Sequence, residues 1–214
     1  MNQAQREFIV GTVHPTNRPG SGRDQQLDDK LPPGIRHISL TMNFTRGTEE
    51  EFAASMPGYE SKVAELAAMK ADLIRPSGAP PFMLLGFEGE RQIIRAWEKK
   101  YGVPMFTSGQ NHVRALKTLG VRKFVGASYF PEKLNAVFAR YFTEAGFRVL
   151  AMKGVQVPFA DVPKLPPADY TSKVLVAVAG PAANIAFTSC EKSFFSGTRI
   201  VFAPIKSAAR PPAS

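Results

Sequence analysis

Cysteine is almost missing from this chain. Of its 214 residues only Cys190 carries a thiol, which excludes an intrachain disulfide framework and any cysteine-rich zinc site. Histidine is nearly as scarce: His14, His37 and His112 are scattered without a metal-ligand spacing, so no metal is expected. No apolar run approaches the ~20 residues that span a bilayer. The opening residues, Met-Asn-Gln-Ala-Gln-Arg-Glu, lack the basic and apolar regions of a signal peptide. The expectation is a cytoplasmic protein without a membrane partner. Gly-x-Ser-x-Gly, Gly-x-Gly-x-x-Gly and a Gly-Lys-Ser/Thr phosphate loop are also absent, which argues against a hydrolase elbow and against nucleotide cofactors.

Acid is in deficit as well, with 18 Asp and Glu against 27 Lys and Arg, a net charge of +9. The bases are mostly interleaved with acids, as in Glu88-Gly89-Glu90-Arg91 and Glu98-Lys99-Lys100, and no run reaches five. That pattern reads as a solvated surface rather than a nucleic-acid interface, and such a surface steers small anionic substrates. After Tyr170 the one acid is Glu191.

What is present is alternation. Residues 7–13 read as a buried first strand, Pro15 to Lys30 as a polar loop, and Gly34 to Leu40 as a second strand. Thr48-Glu49-Glu50-Glu51 forms a capping box. Beyond it Phe52, Met56, Tyr59, Val63, Leu66 and Met69 keep helical spacing to Lys70, with a kink or break expected at Pro57-Gly58. A strand at 71–75 runs into the Ser77-Gly78-Ala79-Pro80-Pro81 turn. A helix over about Glu88–Tyr101 turns Ile93, Ile94 and Trp97 inward, and 102–106 reads as a short strand. Thr107-Ser108 caps a helix striped by Val113, Leu116 and Leu119 and ended by Gly120. Residues 121–127 form a strand. Pro131 opens a helix with Leu134, Val137, Phe138, Tyr141 and Phe142 inward, and Phe147–Met152 returns as a strand. Then come a proline-bearing loop at 155–168, an ambiguous segment at 168–179, a strand 184–190 ending on Cys190, and a last strand at 199–203. Strand and helix alternating over 7–152 imply an α/β protein with parallel sheet flanked by helices. The Val-Gly strands at 10 and 125, each running to a proline, hint at two similar halves.

Ligands in open α/β sheets sit beyond the carboxyl ends of the strands, so the polar groups there are the candidates. Gly78 and Ala79 form a turn whose backbone N–H groups can face an oxyanion. Thr107 and Ser108 stand at a helix start, Tyr129 lies past a strand end, and Cys190 is the sole thiol. Each also has a structural reading: a rigid turn, a cap, a packed tyrosine, a buried cysteine.

The order of these pieces resembles the aspartate/glutamate racemase superfamily, in its branch of arylmalonate decarboxylases and maleate isomerases. The likeness rests on Pro15-Thr16-Asn17, Leu31-Pro32-Pro33-Gly34, Ala71-Asp72-Leu73-Ile74, Val103-Pro104-Met105-Phe106-Thr107-Ser108, the stretch Ala115 to Lys123, Ala127-Ser128-Tyr129 and Asn135. It implies two pseudo-symmetric α/β halves with the active site between them, here 1–106 and 107–203, followed by a basic Ala/Pro-rich tail, 204–214. Racemising members are understood to use a cysteine from each half, and decarboxylating ones keep only the second. Gly78 falls at the first position and Cys190 near the second. The resemblance therefore implies a cofactor-independent lyase or isomerase, acting on a small dicarboxylate through an enediolate with Cys190 as proton donor. Asn17, Ser108 and Tyr129 would hold carboxylate oxygens, and the Gly78 turn would contribute N–H groups. Ala79-Pro80 replaces a Thr-Ser pair of the family. The alternative is a catalytically inactive relative that binds a small carboxylate. A homo-oligomer is left open.

Overall fold

The apolar run Ile9 to Val13 forms the centre of a three-stranded sheet. The structure, a computed structural model, describes residues 7–16, 29, 31–154, 186–190 and 197–201, the last two segments for their backbone. Strand β1 (Phe8–His14) pairs in parallel with β2 (Ile35–Thr41), from Phe8 opposite Ile35 to His14 opposite Thr41, and with β3 (Leu73–Pro76), from Val10 opposite Leu73 to Val13 opposite Pro76. Burial starts at Ile9; Phe8, expected inside, is 44% exposed. The strand expected at 102–106 reduces to one parallel bridge between Met105 and Ile74. Pro104 has no N–H to extend a ladder, though its carbonyl accepts from Ile74 N at 3.0 Å.

The second sheet runs β5-β4-β6-β7. Strand β4 (Lys123–Ser128) lies parallel to β5 (Arg148–Gly154) on one side and to β6 (Ala186–Cys190) on the other. Strand β7 (Gly197–Val201) is antiparallel to β6. A parallel pairing requires a crossover of a dozen or more residues, and only residues 191–196 separate these two strands. The expected parallel sheet therefore closes with one reversed strand.

Among the described residues, six helices connect the strands. α1 (Glu49–Ala53) and α2 (Met56–Ala68) are separated by a break at Ala54-Ser55, just before the Pro57-Gly58 pair. Pro57 occupies the first turn of α2, where a missing N–H costs nothing. The Thr48 hydroxyl accepts from Glu51 N at 3.2 Å as a cap should, but the Glu51 carboxylate reaches past the cap to Thr45 N, Arg46 N and Gly47 N. α3 (Ala79–Met83) is a short helix missing from the sequence reading, and α4 (Gly86–Tyr101), α5 (Ser108–Thr118) and α6 (Glu132–Glu144) fall where expected. Tyr59, Leu66, Ile74, Phe82, Leu116, Phe124, Leu134, Tyr141 and Phe142 are fully buried, each worth about 1.5–3 kcal/mol of transfer free energy. Met69 and Leu119, expected inward, are 43% and 47% exposed. Both are C-cap residues, where the chain leaves the helical phase that set the stripe.

Candidate functional site

The carboxyl ends of β1 and β3 lie side by side, and the turn after β3 is fastened to both neighbours. Ser77 N donates to Val13 O at 2.9 Å, and the Tyr59 hydroxyl, from α2, donates to Ser77 O at 2.6 Å. Gly78 follows at φ 107° and ψ 111°, a conformation that glycine alone adopts without strain. A Cβ there would stand 2.8 Å from Tyr59 Oη and 3.4 Å from Pro15 Cβ. Gly78 N–H points at Ser108 Oγ, 3.4 Å away, so two of the candidate residues meet. Ala79, half-buried, begins α3.

Ser108 is held by its neighbour. Thr107 is fully buried; its hydroxyl accepts from Gln110 N at 3.1 Å, capping α5, and donates to Glu90 Oε1 at 2.5 Å. The other Glu90 oxygen accepts from the Tyr141 hydroxyl of α6. Glu90 is fully buried on α4, and burial pushes its carboxyl up to about 7 against the two hydroxyl donors, Thr107 and Tyr141, which favour the anion. The Tyr141 phenol is raised too, by burial and then by the Glu90 charge. α5 passes close over this pair: a Cβ on Gly109 would lie 2.7 Å from Tyr141 Oη and 3.0 Å from Glu90 Oε1. Glu90 was not among the expected site residues. The signal was its helical phase, since Gly86, Glu90, Ile94 and Trp97 form one buried stripe.

In the second sheet, Tyr129 follows β4 and is 2% exposed. Its turn is tied by Asn135. Ser128 Oγ donates to Asn135 Oδ1 at 2.8 Å and accepts from Phe130 N at 3.0 Å, and Asn135 Nδ2 donates to Phe130 O at 2.8 Å. Cys190 is the last residue of β6. Ala127 pairs with Thr188; two residues later the chain reaches Tyr129 in the turn after β4 and Cys190 at the end of β6. A chain of rings links this end to the Gly78 turn: Tyr129 to Phe130 at 4.3 Å between centroids, Phe130 to Phe52 at 6.0 Å, Phe52 to Phe44 at 5.2 Å and Phe44 to Tyr59 at 6.1 Å. Asn17 lies outside the described residues, as do the loop at 155–168, the segment 168–179 and the tail from 204.

Among the described residues no group of three or more His, Cys, Asp or Glu is arranged to hold a metal ion, and no helix is long and apolar enough to cross a membrane. Comparison with curated protein sequences finds no match. Among solved structures, the maleate cis-trans isomerase of Nocardia farcinica, bound to TRIS, superposes with a TM-score of 0.75 at 16% identity, over 86% of this chain and 78% of the other. The maleate isomerase Iso of Pseudomonas putida S16 gives 0.71 at 15% identity, over 81% and 75%. An arylmalonate decarboxylase gives 0.66 at 17%, over 86% and 77%. These similarities establish a common fold. A sequence model of arylmalonate decarboxylase matches residues 19–197, and on that match the chain belongs to the arylmalonate decarboxylase family.

Proposed function

We propose that the protein is a cofactor-independent decarboxylase acting on a small dicarboxylate, with Cys190 as the proton donor. One observation carries the reading: Cys190 ends a strand parallel to β4, two residues past the Ala127–Thr188 pair, while Tyr129 stands in the turn that follows β4, in a chain whose other candidate turn has glycine and no thiol. Family membership and the fold shared with decarboxylases and maleate isomerases support this general class. A single thiol suits decarboxylation better than two-base chemistry. The bond between the α-carbon and one carboxylate breaks, CO₂ leaves, and the electron pair passes into the remaining carboxylate as an enediolate. The thiol then gives its proton to the α-carbon, and the thiolate recovers one from solvent.

In this reading Ser108 Oγ and Gly78 N–H, 3.4 Å apart, turn toward the retained carboxylate, joined by Tyr129 and Asn17. Ala79 shapes the turn, and Thr107 holds Ser108 in place through Glu90. The developing enediolate charge is where such donors do most. The test is to incubate the protein separately with phenylmalonate and with maleate, following both by proton NMR beside a Cys190→Ala variant. Conversion of phenylmalonate to phenylacetate, abolished in the variant, is the expected result. Conversion of maleate to fumarate would replace decarboxylation with isomerisation. No turnover of either by a folded protein would leave a relative that only binds carboxylates, a reading favoured by the Ala79-Pro80-Pro81 sequence with its missing N–H groups.

A further inference from the structure

A second site lies away from the strand ends, in a groove of about 270 Å³ between α4 and α5. Three guanidiniums, Arg91, Arg95 and Arg114, line it against one carboxylate, Glu98. Arg91 is paired with Glu88 at 2.9 Å, and Glu98 already accepts from Met105 N at 2.8 Å. Arg95 and Arg114, one on each helix, have neither an ion pair nor a hydrogen bond among the described residues. The groove is not polar throughout: the buried side chains Ile94 and Val113 also line it. Guanidiniums and apolar side chains lining one groove are suited to an oxyanion carried on an apolar body.

The geometry points to a binding site for a small organic anion, a phosphate or carboxylate head group gripped between Arg95 and Arg114 with its apolar part on Ile94 and Val113. At about 270 Å³ the groove lies just below the range of ordinary ligand pockets, about 300–1,000 Å³, which limits it to a small, single-ring ligand. The site also borders the candidate active site. Met105 and Gln110 line the groove, and between them Ser108 meets Gly78. A bound anion therefore braces the segment that presents Ser108. Neither arginine belongs to the machinery proposed for decarboxylation, so the two readings stand or fall separately.

The test is titration of the ¹⁵N-labelled full chain at constant ionic strength with phenyl phosphate, benzoate and inorganic phosphate in turn, beside the Arg95→Gln/Arg114→Gln double variant. Saturable shifts centred on the amides of Arg91, Arg95, Gln110 and Arg114, with phenyl phosphate or benzoate, are expected, and whichever binds more tightly identifies the head group. The double variant is expected to weaken that binding by at least about tenfold, the worth of one charged hydrogen bond, with its spectrum elsewhere unchanged. Shifts that never saturate, that persist equally in the variant, or that centre on Gly78 and Ser108 would overturn the site. Inorganic phosphate binding as tightly as phenyl phosphate would overturn the organic ligand and leave a bare anion site.

Discussion

Glu90 and Gly78 show how far a residue's setting governs what it does. Glu90 falls in a sequence of alternating charge that reads as solvated, yet it is fully buried, with a carboxyl raised to about 7 by desolvation. An acid raised in the folded state contributes stability that is fully present below its ordinary value of 4.5 and is lost as pH rises through about 7. The loss is on the order of 3 kcal/mol for a shift of this size. Glu90→Gln removes the titration, so urea midpoints of the native protein are expected to fall relative to the variant between pH 4.5 and 7. Parallel curves would show that Glu90 keeps one protonation state across that window. Gly78 is fixed by its backbone and by Tyr59 Oη, 2.8 Å from where a Cβ would sit. Gly78→Ala is expected to cost about 2 kcal/mol from left-handed strain and the displaced hydroxyl. In a double-mutant cycle, Tyr59→Phe should absorb part of that cost. Strict additivity would mean that Tyr59 does not limit the space at Gly78.

At the scale of elements, the local signals that held were those that satisfy a backbone group. Thr48 and Thr107 both accept from the N–H three residues on, as their position before a helix predicts. What the local pattern did not reveal is the second bond each cap region makes. Glu51 binds three loop amides upstream, and Thr107 donates to a carboxylate on another helix. The β4–α6 turn is the clearest case of one side chain holding an element junction. Asn135, 1% exposed, bonds Ser128 Oγ and the carbonyl of Phe130. Asn135→Ala is expected to lower stability by about 2–3 kcal/mol, since it leaves buried partners unsatisfied. Hydrogen exchange at Phe130 N–H should rise at the same time, because Ser128 loses its anchor. Unchanged exchange there would separate the turn from Asn135.

For the whole molecule, the contacts between the two sheets decide whether their strand ends face a common site. Phe130, after β4, packs on Phe52 of α1, and Lys133 of α6 pairs with Glu49 of α1 at 2.9 Å. The ion pair is exposed on its lysine side, and such pairs contribute little. Phe130 is 3% exposed, and Phe130→Ala is expected to cost about 3–5 kcal/mol. Lys133→Ala should leave the urea midpoint unchanged, and a comparable loss from both would show that charge joins the sheets as much as packing does. The alternation of strands and helices, the helix caps and the small-residue turn at Gly78 were legible along the chain, because periodicity and hydrogen bonding of nearby residues act over a few positions. Packing of whole elements settled that 102–106 yields a single bridge, that β7 runs antiparallel, that Met69 and Leu119 are exposed, and that Glu90 is buried against Thr107 and Tyr141. It also brought Ser108 to Gly78 across 30 residues of chain and Tyr141 to Glu90 across 51. Such contacts depend on how whole elements pack, and no window of neighbouring residues contains that information.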